Sequence, residues 1–264
     1  MSESQPVRPA QPDAQFRLDG RVAIVTGASR GIGEATARAF AAAGAQVVVS
    51  SRRQESIDIV AESIRQSGGD AIAISAHAGR PEDAAKLIDQ CVAHFQRLDI
   101  VVCNAATNPV FGPLTDATTD SFDKIMDVNL RGPFELARRA HPHLAAAGSG
   151  SIINISSIEG ITPSAGLGLY GVSKAALISL TKAAAREWGS ARIRVNAICP
   201  GLIRTKFSAA LWGNDVIREQ LLARTALNRI GTPEEIALLA LFLASDASAY
   251  CTGGVFTADG GYTI

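Results

Sequence analysis

The sequence carries no excess of charge of either sign: its 264 residues include 25 Lys plus Arg and 25 Asp plus Glu. A protein that coats nucleic acid or clings to an anionic membrane needs a basic surplus, so neither partner is expected. Long hydrophobic runs are missing too. No window approaches the roughly 18 uninterrupted apolar residues of a spanning helix, and residues 1–15 (MSESQPVRPAQPDAQ) lack the apolar centre of a secretory signal. The expected location is the cytoplasm. Cysteine is sparse: Cys91, Cys103, Cys199 and Cys251 stand far apart without a CxxC pair, and His77, His94, His141 and His143 are not at ligand spacing. Neither a metal site nor a disulfide framework is expected, and the thiols read as buried apolar filler. His141 and His143, on either side of Pro142, read as a solvated helix end.

Apolar side chain is plentiful, with 47% hydrophobic and 19% charged residues, enough for a sizeable core. The length suits one α/β domain. Residues 1–15 read as a disordered or loosely docked tail, and residues 16–264 as the domain. Short apolar runs mark strands at 22–26, 46–50, 71–75, 99–103, 151–156, 193–198 and 254–258, and most are apolar at consecutive positions. That pattern belongs to parallel strands covered on both faces. Helical patterns fill the gaps at about 31–43, 54–66, 81–95, 118–146, 170–189, 206–223 and 233–245.

A closed (β/α)8 barrel and an open doubly wound sheet both match this alternation. The first turn favours the open sheet. It reads Thr26-Gly27-Ala28-Ser29-Arg30-Gly31-Ile32-Gly33, directly after one strand and opening a helix. Gly27 suits a tight turn, Gly31 a close backbone approach to a pyrophosphate, and Gly33 close helix-to-strand packing. The predicted fold is a single-domain, Rossmann-type α/β sheet of about seven parallel strands. The second strand ends in Ser50-Ser51-Arg52-Arg53, where an NAD site would carry an acid for the ribose 2′-hydroxyl. Guanidinium groups grip a 2′-phosphate instead, so Ser51, Arg52 and Arg53, with Ser29 and Arg30 from the first loop, point to NADP(H).

Tyr170 and Lys174 are four apart on a predicted helix and share a face. An ammonium beside a phenol favours phenolate, so the expected effect is a Tyr170 pKa lowered toward neutrality. Ser157 ends the fifth strand at the edge where such sheets bind ligands, and its hydroxyl is placed to polarise a carbonyl that Tyr170 protonates.

TGASRGIG at 26–33, NAA at 104–106, VNL at 128–130, Ser157, YGVSK at 170–174 and PGLIRT at 200–205 occur in order, and over about residues 18–262 the chain resembles the short-chain dehydrogenase/reductase family. The resemblance implies a catalytic tetrad of Asn129, Ser157, Tyr170 and Lys174. In it Asn129 would hold a water at a distorted helical turn, and Lys174 would bind the nicotinamide ribose. It also implies cofactor contacts from Asn104 and Ala105, from Pro200 and Gly201, and from Ile203 and Thr205 at the carboxamide. VVVSSRR, NAATNPVFG and GLIRTKFSAALW are similar to NADPH-dependent carbonyl reductases acting on aromatic ketones, dicarbonyls and retinal. His77 stands where many members carry an adenine-binding Asp, and an imidazole there can stack or accept a hydrogen bond.

The substrate pocket is expected from Phe111, Leu167, Leu169, Phe207, Leu211 and Trp212, apolar walls suited to a neutral ketone or aldehyde, or the corresponding alcohol. Segment 205–224 reads as a lid. The resemblance implies a homotetramer built on helices 118–146 and 170–189 and the C-terminal strand. Two other functions compete with carbonyl reduction. A 3-oxoacyl thioester reductase would need a basic docking patch, for which Arg138, Arg139, Arg186 and Arg192 are candidates. A non-catalytic NADP-binding sensor would have no need of Ser157, Tyr170 and Lys174 together.

Overall fold

A computed structural model describes residues 12–264. The chain opens with α1 (Pro12–Gln15), β1 (Val22–Thr26), α2 (Gly31–Ala42), β2 (Gln46–Ser51), α3 (Gln54–Gln66), β3 (Asp70–Ser75), α4 (Pro81–Phe95) and β4 (Ile100–Cys103). It continues through α5 (Thr119–Met126), a π-turn (Asp127–Arg131), α6 (Gly132–Ala146), β5 (Gly150–Ile155), α7 (Gly168–Trp188) and β6 (Ile193–Pro200). The last elements are α8 (Ala209–Trp212), α9 (Asp215–Ala223), α10 (Pro233–Ala244) and β7 (Val255–Ala258).

The seven strands form one parallel sheet in the order β3-β2-β1-β4-β5-β6-β7. Strand order reverses between β1 and β4, so the crevice at their C-terminal ends is the switch point where open α/β sheets take ligands. Side chains alternate across the sheet, and both faces are apolar. Ala23, Val25, Val47 and Val49 face Ala37 and Phe40 of α2, Ile57 and Val60 of α3 and Ile236 of α10. Val22, Ile24 and Val48 face Leu87 and Ile88 of α4 and Leu136 and Ala140 of α6. Continuous apolar strands therefore serve two cores, one on each face.

Several sequence expectations need correction. The helix expected over 118–146 is two helices joined by the π-turn, the first capped reciprocally by Thr118 and Ser121. The helix expected over 206–223 is α8 and α9, split at Gly213 and Asn214, whose side chain caps α9. Residues 1–11 of the expected tail lie outside the described residues, while 12–15 form a helical turn, exposed at 13–15, and Phe16 packs against Phe242 at 6.4 Å between ring centroids. Cys91, Cys103 and Cys199 are buried as expected, but Cys251 is only half-buried. His141 is not a solvated end: α6 runs five residues past it, and its ring meets Trp188 edge-on at 5.1 Å. Among the described residues no helix is long and apolar enough to cross a membrane, and no group of three His, Cys, Asp or Glu is arranged to hold a metal.

Candidate active site

The glycine loop sits where β1 hands over to α2. Gly27 and Gly31 have φ of +64° and +60°, a region that side chains with a Cβ adopt only under strain. Thr26, which the sequence pattern marked only as the start of the loop, is its clamp. Its Oγ1 donates to the Val102 carbonyl at 3.1 Å and accepts the Asn104 and Ala105 amides at 3.0 and 3.2 Å. Asn104 closes the circuit, its Nδ2 donating to the carbonyls of Thr26 (2.9 Å) and Gly27 (3.2 Å). A Cβ at Gly33 would run into that same Nδ2 and the Gly27 carbonyl, which explains the third glycine. Asn104 thus acts on the loop itself, a role its motif did not disclose.

The Ala28 amide donates to the Ser50 carbonyl at 3.0 Å, which brings the loop beside the end of β2. Ser29 and Ile32 are half-buried, and Ser51 likewise; Arg30, Arg52 and Arg53 are exposed and enter none of the ion pairs among the described residues. Arg30 occupies the position before α2 without capping it by its side chain, so the first amides of this 12-residue helix are left for another acceptor. A cradle that only glycine fits, an uncapped helix N-terminus and three unpaired guanidinium groups at one sheet edge fit a phosphorylated dinucleotide. At His77 the Nδ1 accepts the Gly79 amide at 3.1 Å and the backbone amide donates to Asp83 at 2.7 Å, which leaves Nε2 and the ring faces for the expected contact. That Nδ1 is occupied in a local turn and cannot also accept from an adenine amino group.

On the other side of the crevice, Ser157 lies just beyond β5 and caps a short turn, its Oγ accepting the Glu159 amide at 3.1 Å. Tyr170 and Lys174 are one turn apart on α7, with Lys174 Nζ 5.6 Å from the centroid of the Tyr170 ring. Lys174 is 2% exposed, and its Nζ donates to the Ile155 carbonyl at 2.8 Å. Burial lowers its pKa to about 8, with Cys199 and Cys103 opposing the shift. The expected acidification of Tyr170 is overturned. The residue keeps some exposed surface, yet burial around its phenol raises the pKa; a hydrogen bond with Ser157 pulls it down, while Glu159 and Cys199 push it up. Desolvation is the largest influence on the phenol, and the Ser157 hydrogen bond opposes it only in part. Asn129 is fully buried in the π-turn, its Oδ1 accepting the Thr107 amide (2.8 Å) and its Nδ2 donating to the Thr107 carbonyl and to Ser173 Oγ (both 3.0 Å).

The remaining wall follows β6. Pro200 ends that strand, and the Gly201 amide donates to Ala258 of β7 at 3.0 Å. Ile203 is buried and bridges to Gly231. The Thr205 methyl lies 3.2 Å from where a Gly31 Cβ would stand, so this segment reaches the glycine loop. Phe207 lies 6.0 Å from the Tyr170 ring, centroid to centroid. Trp212, expected to line the pocket, is half-buried and donates its indole N–H to the Thr205 carbonyl at 3.0 Å with Arg204 5.4 Å from its ring, and Leu211 is half-buried beside it. Phe111 is 68% exposed and packs on Gly166, whose carbonyl accepts the Gly112 amide at 3.1 Å; Leu167 is half-buried at the start of α7.

This geometry has close counterparts. A family model described as enoyl-(acyl carrier protein) reductase matches residues 27–263. The bovine (Bos taurus) protein "Dehydrogenase/reductase SDR family member 4" is 41% identical over 244 residues, 92% of this chain and 88% of that protein. The chain belongs to the short-chain dehydrogenase/reductase family. A short-chain type dehydrogenase/reductase from Mycobacterium marinum superposes with a TM-score of 0.89 at 38% identity, over 95% of this chain and 98% of that one. A gluconate 5-dehydrogenase from Burkholderia cenocepacia, solved with NADP and tartrate, gives 0.92 at 34% identity, again over 95% and 98%. As a short-chain dehydrogenase/reductase the protein is an oxidoreductase that works between CH–OH and C=O groups with a nicotinamide cofactor.

Proposed function

We propose that this short-chain dehydrogenase/reductase uses NADPH to reduce a neutral, apolar ketone or aldehyde. The observation that carries the reading is the grouping of Ser157, Tyr170 and Lys174 at the C-terminal edge of β5, across the crevice from the glycine loop. When bound, the cofactor supplies hydride to the carbonyl carbon. Gly27, Gly31, Ile32, Gly33 and Ala105 form its cradle, Ser29, Arg30, Ser51, Arg52 and Arg53 take the 2′-phosphate, and Pro200, Gly201, Ile203 and Thr205 flank the carboxamide. Exposed, unpaired arginines support NADP over NAD, and the Burkholderia neighbour was solved with NADP.

In the reductive direction Tyr170 gives its proton to the oxygen that becomes a hydroxyl. Ser157 accepts from the Glu159 amide, which leaves its own O–H to donate to that oxygen. Lys174, with a pKa of about 8, restores charge near the phenol and holds the ribose hydroxyls. Asn129 fixes α7 through Ser173. Phe111, Leu167, Phe207 and Leu211 are the apolar substrate walls, and 205–224 is the lid over them.

The thioester alternative is weakened by Glu135, which pairs with Arg138 at 2.8 Å and Arg139 at 3.5 Å and so offsets one of the four positive charges of the candidate docking patch. A homotetramer in the cytoplasm remains our expectation for the assembly; the open groove of Met126, Leu130, Phe134 and Leu180, flanked by Arg131 and Glu135, suits a second copy of the same face. The test is NADPH absorbance against a panel of ketones and aldehydes, with Tyr170→Phe beside the native protein. Turnover of neutral aryl ketones, lost in Tyr170→Phe with NADPH binding kept, is the expected result. Preference for short keto acids would overturn the apolar-substrate reading.

A further inference from the structure

Glu159 carries none of the motifs in the sequence, yet it stands between the residues proposed to act on the substrate and the loop proposed to enclose it. Its amide donates to Ser157 Oγ at 3.1 Å. Both carboxylate oxygens are engaged by one residue five positions on: Ser164 donates its amide to Oε2 at 2.7 Å and its hydroxyl to Oε1 at 2.8 Å. Short double contacts to an ionised acceptor are the strong class of hydrogen bond. From Ser164 the connection runs on. The Leu167 amide donates to the Ser164 carbonyl at 3.2 Å, and the Gly171 amide of α7 donates to the Leu167 carbonyl at 2.8 Å. Gly166 meets the other wall, its carbonyl accepting Gly112 at 3.1 Å beneath the Phe111 ring.

At the start of segment 161–167 the Ile161 and Thr162 amides donate to the Ile158 carbonyl at 2.9 and 2.8 Å; beyond them the segment leans on Glu159. Ile161, Thr162, Pro163 and Ala165 are exposed, so no buried apolar side chain anchors the middle of this loop. The turn at its root, in contrast, is firmly seated: a Cβ on Gly160 would stand 2.7 Å from the Lys174 backbone, so the turn lies directly against the helix that carries Tyr170. A rigid root, a solvent-facing loop and one half-buried carboxylate between them describe a strut.

Resting on the carbonyl-reductase reading, we propose that Glu159 is a positioning residue of the reduction, its carboxylate fastening the 161–167 wall of the substrate cleft to the turn that carries Ser157. Its loss should loosen the wall that grips a bulky substrate and leave the cofactor cradle untouched, since no hydrogen bond of the strut reaches the glycine loop.

The experiment uses the full-length chain and the variants Glu159→Ala, Glu159→Gln and Ser164→Ala. Amide hydrogen exchange and steady-state kinetics with a bulky aryl ketone are measured together with NADPH affinity. In Glu159→Ala, exchange at 161–167 should accelerate about tenfold or more and KM for the aryl ketone should rise by a similar factor, as expected for loss of two charge-assisted bonds. There the NADPH Kd should stay within about twofold, while the pH profile of kcat shifts to lower pH because the Glu159 charge no longer raises the Tyr170 pKa. Glu159→Gln, which still accepts one bond, should fall between Ala and native, and Ser164→Ala, which keeps the amide donor, should do the same. Unchanged exchange at 161–167 in both Glu159 variants overturns the proposal; so does a loss of NADPH affinity in step with the rise in KM, which would mark a general structural defect. Should the native protein reduce no ketone, the functional reading fails alone, because the exchange measurement still decides the strut.

Discussion

The Asn129 side-chain amide donates to Ser173 Oγ at 3.0 Å, a buried bond that ties the π-turn to the helix bearing Tyr170 and Lys174. Because Asn129 also holds both backbone groups of Thr107, the loop after β4, the π-turn and α7 are tied together by one carboxamide. Ser173→Ala should therefore destabilise the fold by about 2 kcal/mol, because Ser173 Oγ also donates to the Tyr170 carbonyl at 2.7 Å and two hydrogen bonds are lost. Asn129→Ala, which orphans Thr107 as well, should cost more, on the order of 3 kcal/mol, and lower kcat with it. Urea denaturation of both variants checks the order; equal stability to the native protein would remove Asn129's structural role.

Lys174 gives stability a particular pH dependence. Its folded pKa, about 8, lies below its unfolded value of 10.5, so between those limits the unfolded chain binds the proton and the native protein does not. Stability therefore rises with pH across that window from this group, by roughly 3 kcal/mol at most. Tyr170 acts in the opposite sense above about 10, where its raised pKa keeps a proton in the fold that the unfolded chain has lost. Lys174→Met should flatten the rise between pH 8 and 10.5 when compared with the native protein by chemical denaturation without cofactor. A native curve that falls throughout that interval while Lys174→Met falls in parallel would contradict the assignment.

Arg52 is exposed at the end of β2, beside the loop through the Ala28–Ser50 contact. Loss of a charge-assisted contact to a 2′-phosphate is worth about tenfold to a hundredfold in affinity. Arg52→Ala should weaken NADPH by that factor and leave NADH nearly unchanged. Fluorescence titration with both nucleotides reads the difference, and NADH binding at least as tightly as NADPH to the native protein would end the argument for Arg52.

Trp212 holds Thr205 through its indole N–H, and Thr205 lies against Gly31. The other tryptophan, Trp188, is at the far end of α7. Energy transfer from tryptophan to bound NADPH should therefore survive Trp188→Phe and disappear in Trp212→Phe. The second variant should also raise the KM for ketone by about fivefold, because one neutral hydrogen bond is lost from the lid. Transfer surviving in Trp212→Phe would place the lid elsewhere.

Much of the architecture was legible because its signals are local. Runs such as VAIVT and QVVVS are apolar at every position where two cores will cover them, and the TGASRGIG turn states its own backbone demands through Gly27 and Gly31. The pairing of Tyr170 with Lys174 follows from helical period alone. Where helices would break was less legible: Gly132-Pro133, three residues past Asn129, marked a break that the helical pattern over 118–146 passed over, and the π-turn there brings a carboxamide to Thr107 and Ser173.

By itself, then, the sequence determined the β-α order, the glycine loop and the one-turn spacing of phenol and ammonium, because each depends on neighbours within a few residues. Only the tertiary structure decided that burial is the largest influence on Tyr170, that His77 Nδ1 is occupied by its own turn, that Thr26 clamps Asn104, and that Glu159 braces the cleft. Those outcomes depend on desolvation and on donors delivered from distant strands to one edge of the sheet, quantities that exist only once the strands are side by side.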